Sequence, residues 1–466
     1  MPTHPFCIRH YKAATLKHTA VMLAAAALLV GSAHADTLFD QPDPSFKGNV
    51  FSTGVVTPGA ETVVRGAGFK PGQEIQLLRS GQNIAKDEVL TADKEGRFST
   101  TIAVPETAAI GLHPVVVQVA NPSAASIFEF KVSPDIEFSG ADKFTVTAKH
   151  LTAGLYQSAY SPANNMLFVT SAVGRPPVTK TALLKVDPET LNVEGSITPA
   201  ADTENDKGQL MAVYGVAVDD DTGTVWTTNT RGDTIAVYKQ ADLSLVKQFP
   251  NGLVPHARDV VVDGKNHRAY VSATGTNEIM VFDTQTLEPL DAIVIESRSR
   301  QAPSPMSLAI DTVNGKLYTV SRTTNEAVVI DLEKQEVEAV YPLEGAKSAS
   351  GVAIAPEANV LFVASQGSDN VQLVDLKNGT ILHTISVGAG PLNLTWDAKH
   401  KLAYAVSRGS NSIAVINLDG ELVANLDGGS FPNHLTTGGN GTVYAINKSR
   451  GEDDSTGDRI SKITLK

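Results

Sequence analysis

Four cations hold defined places in a repetitive chain, three of them matching, and together they suit one kind of chemistry. Arg322, Arg408 and Lys448 each lie four residues after a recurring aromatic, and Arg258 precedes the apolar run VVV. Tyr156, Tyr214 and His434 precede similar runs. Guanidinium and ammonium groups gathered at one spot, edged by aromatic rings, would hold a phosphate or a carboxylate, or a short single-stranded nucleic acid whose bases stack on the rings. The competing reading pairs each arginine with a neighbouring carboxylate, Arg258 with Asp259 for instance, and leaves the tyrosines as packing. Other chemistries have little to build on. The sequence has no G-x-S-x-G and no H-E-x-x-H; S-x-x-K at 244–247 and S-D-N at 368–370 lack a K-T-G and fall in repeat strands or turns. The seven histidines beyond the leader (His113, His150, His256, His267, His383, His400, His434) show no i, i+2 or i, i+4 pair for zinc. His256 and His434 hold roughly matching places and could meet across an opening. The acidic turns 219–223 and 451–458 lack EF-hand spacing and read as solvated. No motif calls for a cofactor.

Those residues need a scaffold, and the repeat supplies it. Residues 351–387 (GVAIAPEANVLFVASQGSDNVQLVDLKNGTILHTISV) read as four short strands of β-branched and aromatic residues, broken by Pro, Asn, Gly and Asp. One such sheet cannot cover both of its faces, so copies are required. An aromatic recurs in the second strand of each copy: Phe168, Trp226, Tyr270, Tyr318, Phe362, Tyr404 and Tyr444, at gaps of 58, 44, 48, 44, 42 and 40 residues. Seven four-stranded units at that period predict an all-β chain with a seven-bladed β-propeller over 143–466. In a propeller the inner strands line an axial channel, and their lead-in loops ring one mouth together with the ends of the second strands. Tyr156, Tyr214, Arg258, Arg322, Arg408, His434 and Lys448 are thereby expected at one opening. The last unit has only three strands of its own at the C-terminus, so residues 144–149 (FTVTAK) are expected to pair beside 459–465 and close the ring. The gap of 58 marks a polar insertion at 199–209, and 449–458 is another.

The segments AYVSATGTNEIMVFD (269–283), LYTVSRTTNEAVVID (317–331) and LFVASQGSDNVQLVD (361–375) resemble the YVTN-type repeat of bacterial and archaeal surface and periplasmic propellers. The C-terminal layout, a strand, a polar insertion and a short last strand, is most similar to the YncE-type periplasmic proteins. The resemblance covers about 320 residues. It implies a propeller, and a link to DNA binding; the Arg258-Asp259 pair stands where that group carries Pro-Arg-Glu, with Ala257 replacing the proline.

Ahead of the propeller, 50–134 holds seven candidate strands (FSTGVV, ETVVRGA, EIQLLRSG, DEVLTA, GRFSTTIAV, HPVVVQV, IFEFKV) with turn signals between them. They predict a small β-sandwich, and the segment resembles bacterial immunoglobulin-like modules. Residues 36–49 read as a flexible lead-in and 135–142 as a linker. Residues 1–35 read as a cleavable secretion signal: Arg9, Lys12 and Lys17, then TAVMLAAAALLV, then Ala33-His34-Ala35. Cleavage would leave 35 basic against 50 acidic side chains, net −15, since the three lost charges are all basic. That excess argues against a surface that binds nucleic acid everywhere. Cys7, the single cysteine of the 466 residues, falls in the leader, so the exported chain would carry no disulfide or thiolate. No later segment is long enough to span a membrane. The expectation is a periplasmic or secreted, non-enzymatic binding protein for an anionic small molecule, single-stranded nucleic acid or a protein partner. Two alternatives stay open: a metal-dependent, hydrolase- or lactonase-like propeller enzyme, and an architectural module of the envelope.

Overall fold

The computed structural model describes residues 41–466 apart from 87, 88 and 206. The expected secretion signal and the start of the expected lead-in lie outside them. Seven four-stranded antiparallel sheets follow one another around an axis. Their inner strands are Leu155–Ser161, Val216–Asp219, Ala257–Asp263, Pro305–Asp311, Ala349–Ala355, Pro391–Asp397 and Pro432–Thr437, which number blades 1 to 7. Second strands such as Thr224–Asn229, Val360–Ser365 and Leu402–Ser407 are buried at every residue. Blades cover each other's two faces, so a middle strand reads as a continuous apolar run without alternation. All seven recurring aromatics are buried in these strands. Phe362 stacks on Trp396 of the next blade with centroids 5.4 Å apart. Outer strands such as Val193–Ile197 stay largely exposed.

The ring closes as the strand count requires. Phe144–His150 pairs antiparallel with Arg459–Leu465 over seven residue pairs, from Arg459 opposite His150 to Leu465 opposite Phe144. Phe144 anchors this strand: it is buried and packs edge-on to Tyr404, 6.3 Å away. Residues 135–142 are no free linker. Ser139 and Asn425 exchange both backbone hydrogen bonds, and the Asn425 side-chain amide donates to the Ile136 and Glu137 carbonyls.

The N-terminal unit is a two-sheet sandwich, three strands against five. Glu61–Ala67 and Phe98–Ala103 alternate buried and open residues, as strands with one covered face do. Val64, Ile75, Leu77, Val115 and Val117 fill the space between the sheets. The expected FSTGVV strand runs instead over Asn49–Ser52, and DEVLTA contributes only Leu90–Thr91. The sandwich leans on the rim of blade 5: Lys131 pairs with Asp369 at 2.7 Å and donates to the Gln366 carbonyl at 2.9 Å.

Both polar insertions are held by their own carboxylates. Asp202 accepts from Gln209 at 3.1 Å and from Asn251 at 3.0 Å. Asp454 accepts the backbone N–H of Arg450 at 2.8 Å and of Thr456 at 3.0 Å, which drives its pKa down.

Candidate functional site

The inner strand of six blades carries a register shift at the same place, between Leu155 and Ser158, Ala257 and Val260, Pro305 and Leu308, Ala349 and Gly351, Pro391 and Asn393, and Pro432 and His434. A bulge there puts two successive side chains toward the axis. The second of the two builds a polar layer across the channel. Gln157 accepts the N–H of Val216 on blade 2 at 3.1 Å, Asp259 that of Leu308 on blade 4 at 3.0 Å, Asn393 that of Leu435 on blade 7 at 2.9 Å, and His434 Nδ1 that of Ser158 on blade 1 at 3.3 Å. Blades thus hold hands through side chains at the axis. Where Gly351 takes this place, a Cβ would stand 2.8 Å from the Leu392 carbonyl oxygen, so the neighbouring backbone itself fills the gap.

The first of the two, with the ends of the second strands, builds a cavity of about 430 Å³ above that layer. Tyr156, Arg258, Arg322 and Arg408 line it, as do His256, Gln366 and Asn433; no acidic side chain does. Lys448 and Tyr214 join through Tyr156: the lysine Nζ lies 4.1 Å from the Tyr156 centroid, and the two phenol rings meet edge to face at 4.9 Å. Arg258 lies over the same ring at 5.4 Å, and Arg408 over Phe431 at 5.5 Å.

Four of the seven expected residues therefore line one opening, and Lys448 and Tyr214 pack against one of them, Tyr156. His434 is the exception. It sits in the polar layer and faces a second cavity of about 500 Å³ on the other side, lined by Val260, Leu394 and Trp396 among others. The bulge explains the difference, because it turns Asn433 toward the mouth and His434 away from it. Burial, with the nearby Arg258 charge, holds His434 at about 3, so it is a neutral acceptor. His256 lines the upper cavity and His434 the lower, so the two do not share a site. Among the described residues no group of three or more His, Cys, Asp or Glu is placed to hold a metal.

The mouth is electrostatically unbalanced. Arg258 is only 8% exposed; the Asp259 carboxylate feels its charge but forms no ion pair with it and accepts from the backbone of blade 4. Among the described residues none of Arg258, Arg322, Arg408 and Lys448 forms an ion pair. One Nη of Arg258 and the Nε of Arg408 are buried without a hydrogen-bond partner. The cost shows in neighbouring titrations. Burial first, then the Arg408 and Arg258 charges, push Lys448 down to about 7. Burial lowers Arg408, aided by Arg258. Burial lowers His256, aided by Arg231, Arg322 and Arg258 against the opposing Asp233. A carboxylate or phosphate entering here would meet donors that nothing else satisfies.

Sequence reasoning missed Asn433 and Phe431, and it placed His256 only opposite His434 across an opening. The shared bulge is the signal that finds Asn433, since it adds one residue to six of the inner strands ahead of the apolar run.

No curated protein matches the chain. Solved structures match at low identity. A streptogramin B lyase is 14% identical, with 70% of this chain and 100% of that chain covered and a TM-score of 0.55. A catalytically inactive virginiamycin B lyase from Staphylococcus aureus with quinupristin is 13% identical, with 69% and 100% covered and a TM-score of 0.54. Hydrazine synthase of Kuenenia stuttgartiensis is 17% identical, with 63% and 92% covered and a TM-score of 0.52. At these identities the likeness is one of fold. A family model described as lactonase, seven-bladed β-propeller, matches residues 141–424. With more than half of its length under that model and seven blades in its structure, the chain belongs to the lactonase seven-bladed β-propeller family.

Proposed function

We propose that the protein is exported and that the mouth above the polar layer binds a small anion. The observation that carries this is the set of Arg258, Arg322, Arg408 and Lys448 on one opening, without ion pairs and with buried donors left over. The cavity volume falls in the range typical of small-molecule sites, roughly 300–1,000 Å³. A small anion fits better than single-stranded nucleic acid. Base stacking needs an open ring face, and Tyr156 already carries Lys448, Arg258 and the edge of Tyr214. Export rests on the basic, apolar and A-x-A pattern of residues 1–35. The sandwich, which resembles immunoglobulin-like modules, would serve as the docking arm for an envelope partner, held to the rim through Lys131.

Calorimetric titration with sulfate, phosphate and a short oligonucleotide across salt concentrations tests the reading. Binding of the small anions that weakens in R322A and R408A is expected. An oligonucleotide that binds tighter than either anion, with a steep salt slope, would move the assignment to nucleic acid. No binding of any of them at low salt would end it.

A second reading, hydrolysis of an anionic lactone, is favoured by His256. Its ring lines the same cavity, and burial among cations holds it neutral. A neutral imidazole takes a proton from water, and a guanidinium steadies the oxyanion formed at the carbonyl. A panel of charged and neutral lactones with H256Q decides between binding and turnover.

A further inference from the structure

We infer that Lys448 is a carbonyl-reactive amine and that the mouth takes a small anion bearing an aldehyde or ketone, which condenses with its Nζ. This rests on the anion-binding reading and names its ligand class. Arginine cannot act as an amine nucleophile, so of the four cations Lys448 alone has this chemistry open to it. Its placement favours the reaction. The backbone N–H of Lys448 donates to the Phe431 carbonyl at 3.1 Å, which fixes the root of the side chain. The amine is set against Tyr156, the ring that Arg258 also covers. Asp458 is the carboxylate nearest in effect, but it is committed elsewhere: it accepts the N–H of Gly154 at 2.8 Å and of Ser449 at 3.2 Å. Other lysines differ. Lys316 sits between Asp331 and Glu338, and Lys462 pairs with Glu189. Burial and the Arg408 and Arg258 charges bring Lys448 to about 7, so a large share of it is neutral near that pH.

The step balances without an oxidant. The Nζ lone pair adds to the carbonyl carbon, and the carbonyl π pair takes a proton to give a carbinolamine. Loss of water leaves the imine, so amine plus carbonyl gives imine plus water. The ligand's carboxylate or phosphate stays on the guanidiniums, which orient its carbonyl toward the amine.

The test treats the whole protein with glyoxylate and cyanoborohydride near pH 7 and maps the modified lysines by peptide mass. The expected result is a carboxymethyl group on Lys448 at least about tenfold faster than on any other lysine. Inorganic phosphate should slow it, and glycolaldehyde, a neutral carbonyl of equal carbon count that the guanidiniums cannot hold, should mark Lys448 more slowly than glyoxylate does. K448R should lose the fast label. Labelling that follows lysine exposure, or glycolaldehyde marking Lys448 as fast as glyoxylate, would overturn the inference. Calorimetry with sulfate on the same preparation separates the two levels. Sulfate binding without selective labelling removes only the amine chemistry; absence of both sulfate binding and selective labelling removes the anion site beneath it as well.

Discussion

If Lys448 sits near half-protonation in the empty mouth, anion binding must draw in a proton above pH 7. The free amine lies at about 7, beside Arg408, Arg258 and Tyr156, with Asp458 as the one opposing charge. A bound dianion restores the attraction that the guanidiniums withhold, and the lysine pKa climbs toward its ordinary value. Binding to the protonated form then costs a factor of ten per pH unit once most of the free lysine is neutral. From about pH 7.5 to about pH 8.5, sulfate affinity should fall about eightfold, the ratio of neutral-to-charged corrections for a pKa near 7. Sulfate is the probe because it does not titrate in this window. His256 adds little, since its own pKa is lowered and it is already neutral there. Calorimetry in two buffers of different ionisation enthalpy should show close to one proton taken up per sulfate at the upper pH. K448R stays charged and should give a flat profile. A flat wild-type profile, or an equal slope in K448R, would refute the placement of this amine among unpaired cations. The sign for folding is the reverse: the folded pKa lies below the unfolded one, so the unliganded protein should gain stability from this group as pH rises from about 7 toward 10.

Three further outcomes are expected. R408A should weaken sulfate binding about 10- to 100-fold, the size of a charge-assisted hydrogen bond in a buried site, measured by calorimetry at fixed salt. Removing the anchor of the closing strand, F144A should cost about 3–5 kcal/mol in urea unfolding, because Phe144 is buried against Tyr404. At the axis, G351A should destabilise by about 1–3 kcal/mol, since its methyl meets the Leu392 carbonyl of the next blade and neither backbone can yield freely.

Most of the wheel was legible because it is periodic. A recurring aromatic in each second strand fixed seven blades, and a shortage of one strand at the C-terminus pointed to residues 144–149 as the missing piece. Second-strand ends reach the mouth at a constant offset, so Arg322, Arg408 and Lys448 could be placed from spacing alone. Inner strands were harder. Their bulge breaks the alternation of side chains without changing composition, so His434 was expected at the mouth and is one layer below it. The pairing of Arg258 could not be read from its neighbour either. Both side chains of the bulge turn to the axis, one above the other, and Asp259 serves the next blade. In the sandwich, strand limits drifted where glycine and proline loosened the pattern, as at 53–58.

Because the seventh sheet is assembled from both ends of the propeller, its last partner leaves the ribosome roughly 300 residues after its first. Blade 7 needs residues 432–465 as well as Phe144–His150, so the ring cannot close before the last strand is made. The proposed anion site would therefore depend on the last blade: a chain stopped at residue 447 would keep the side chains of Arg258, Arg322 and Arg408 yet lack Lys448 and the strand that closes the circle.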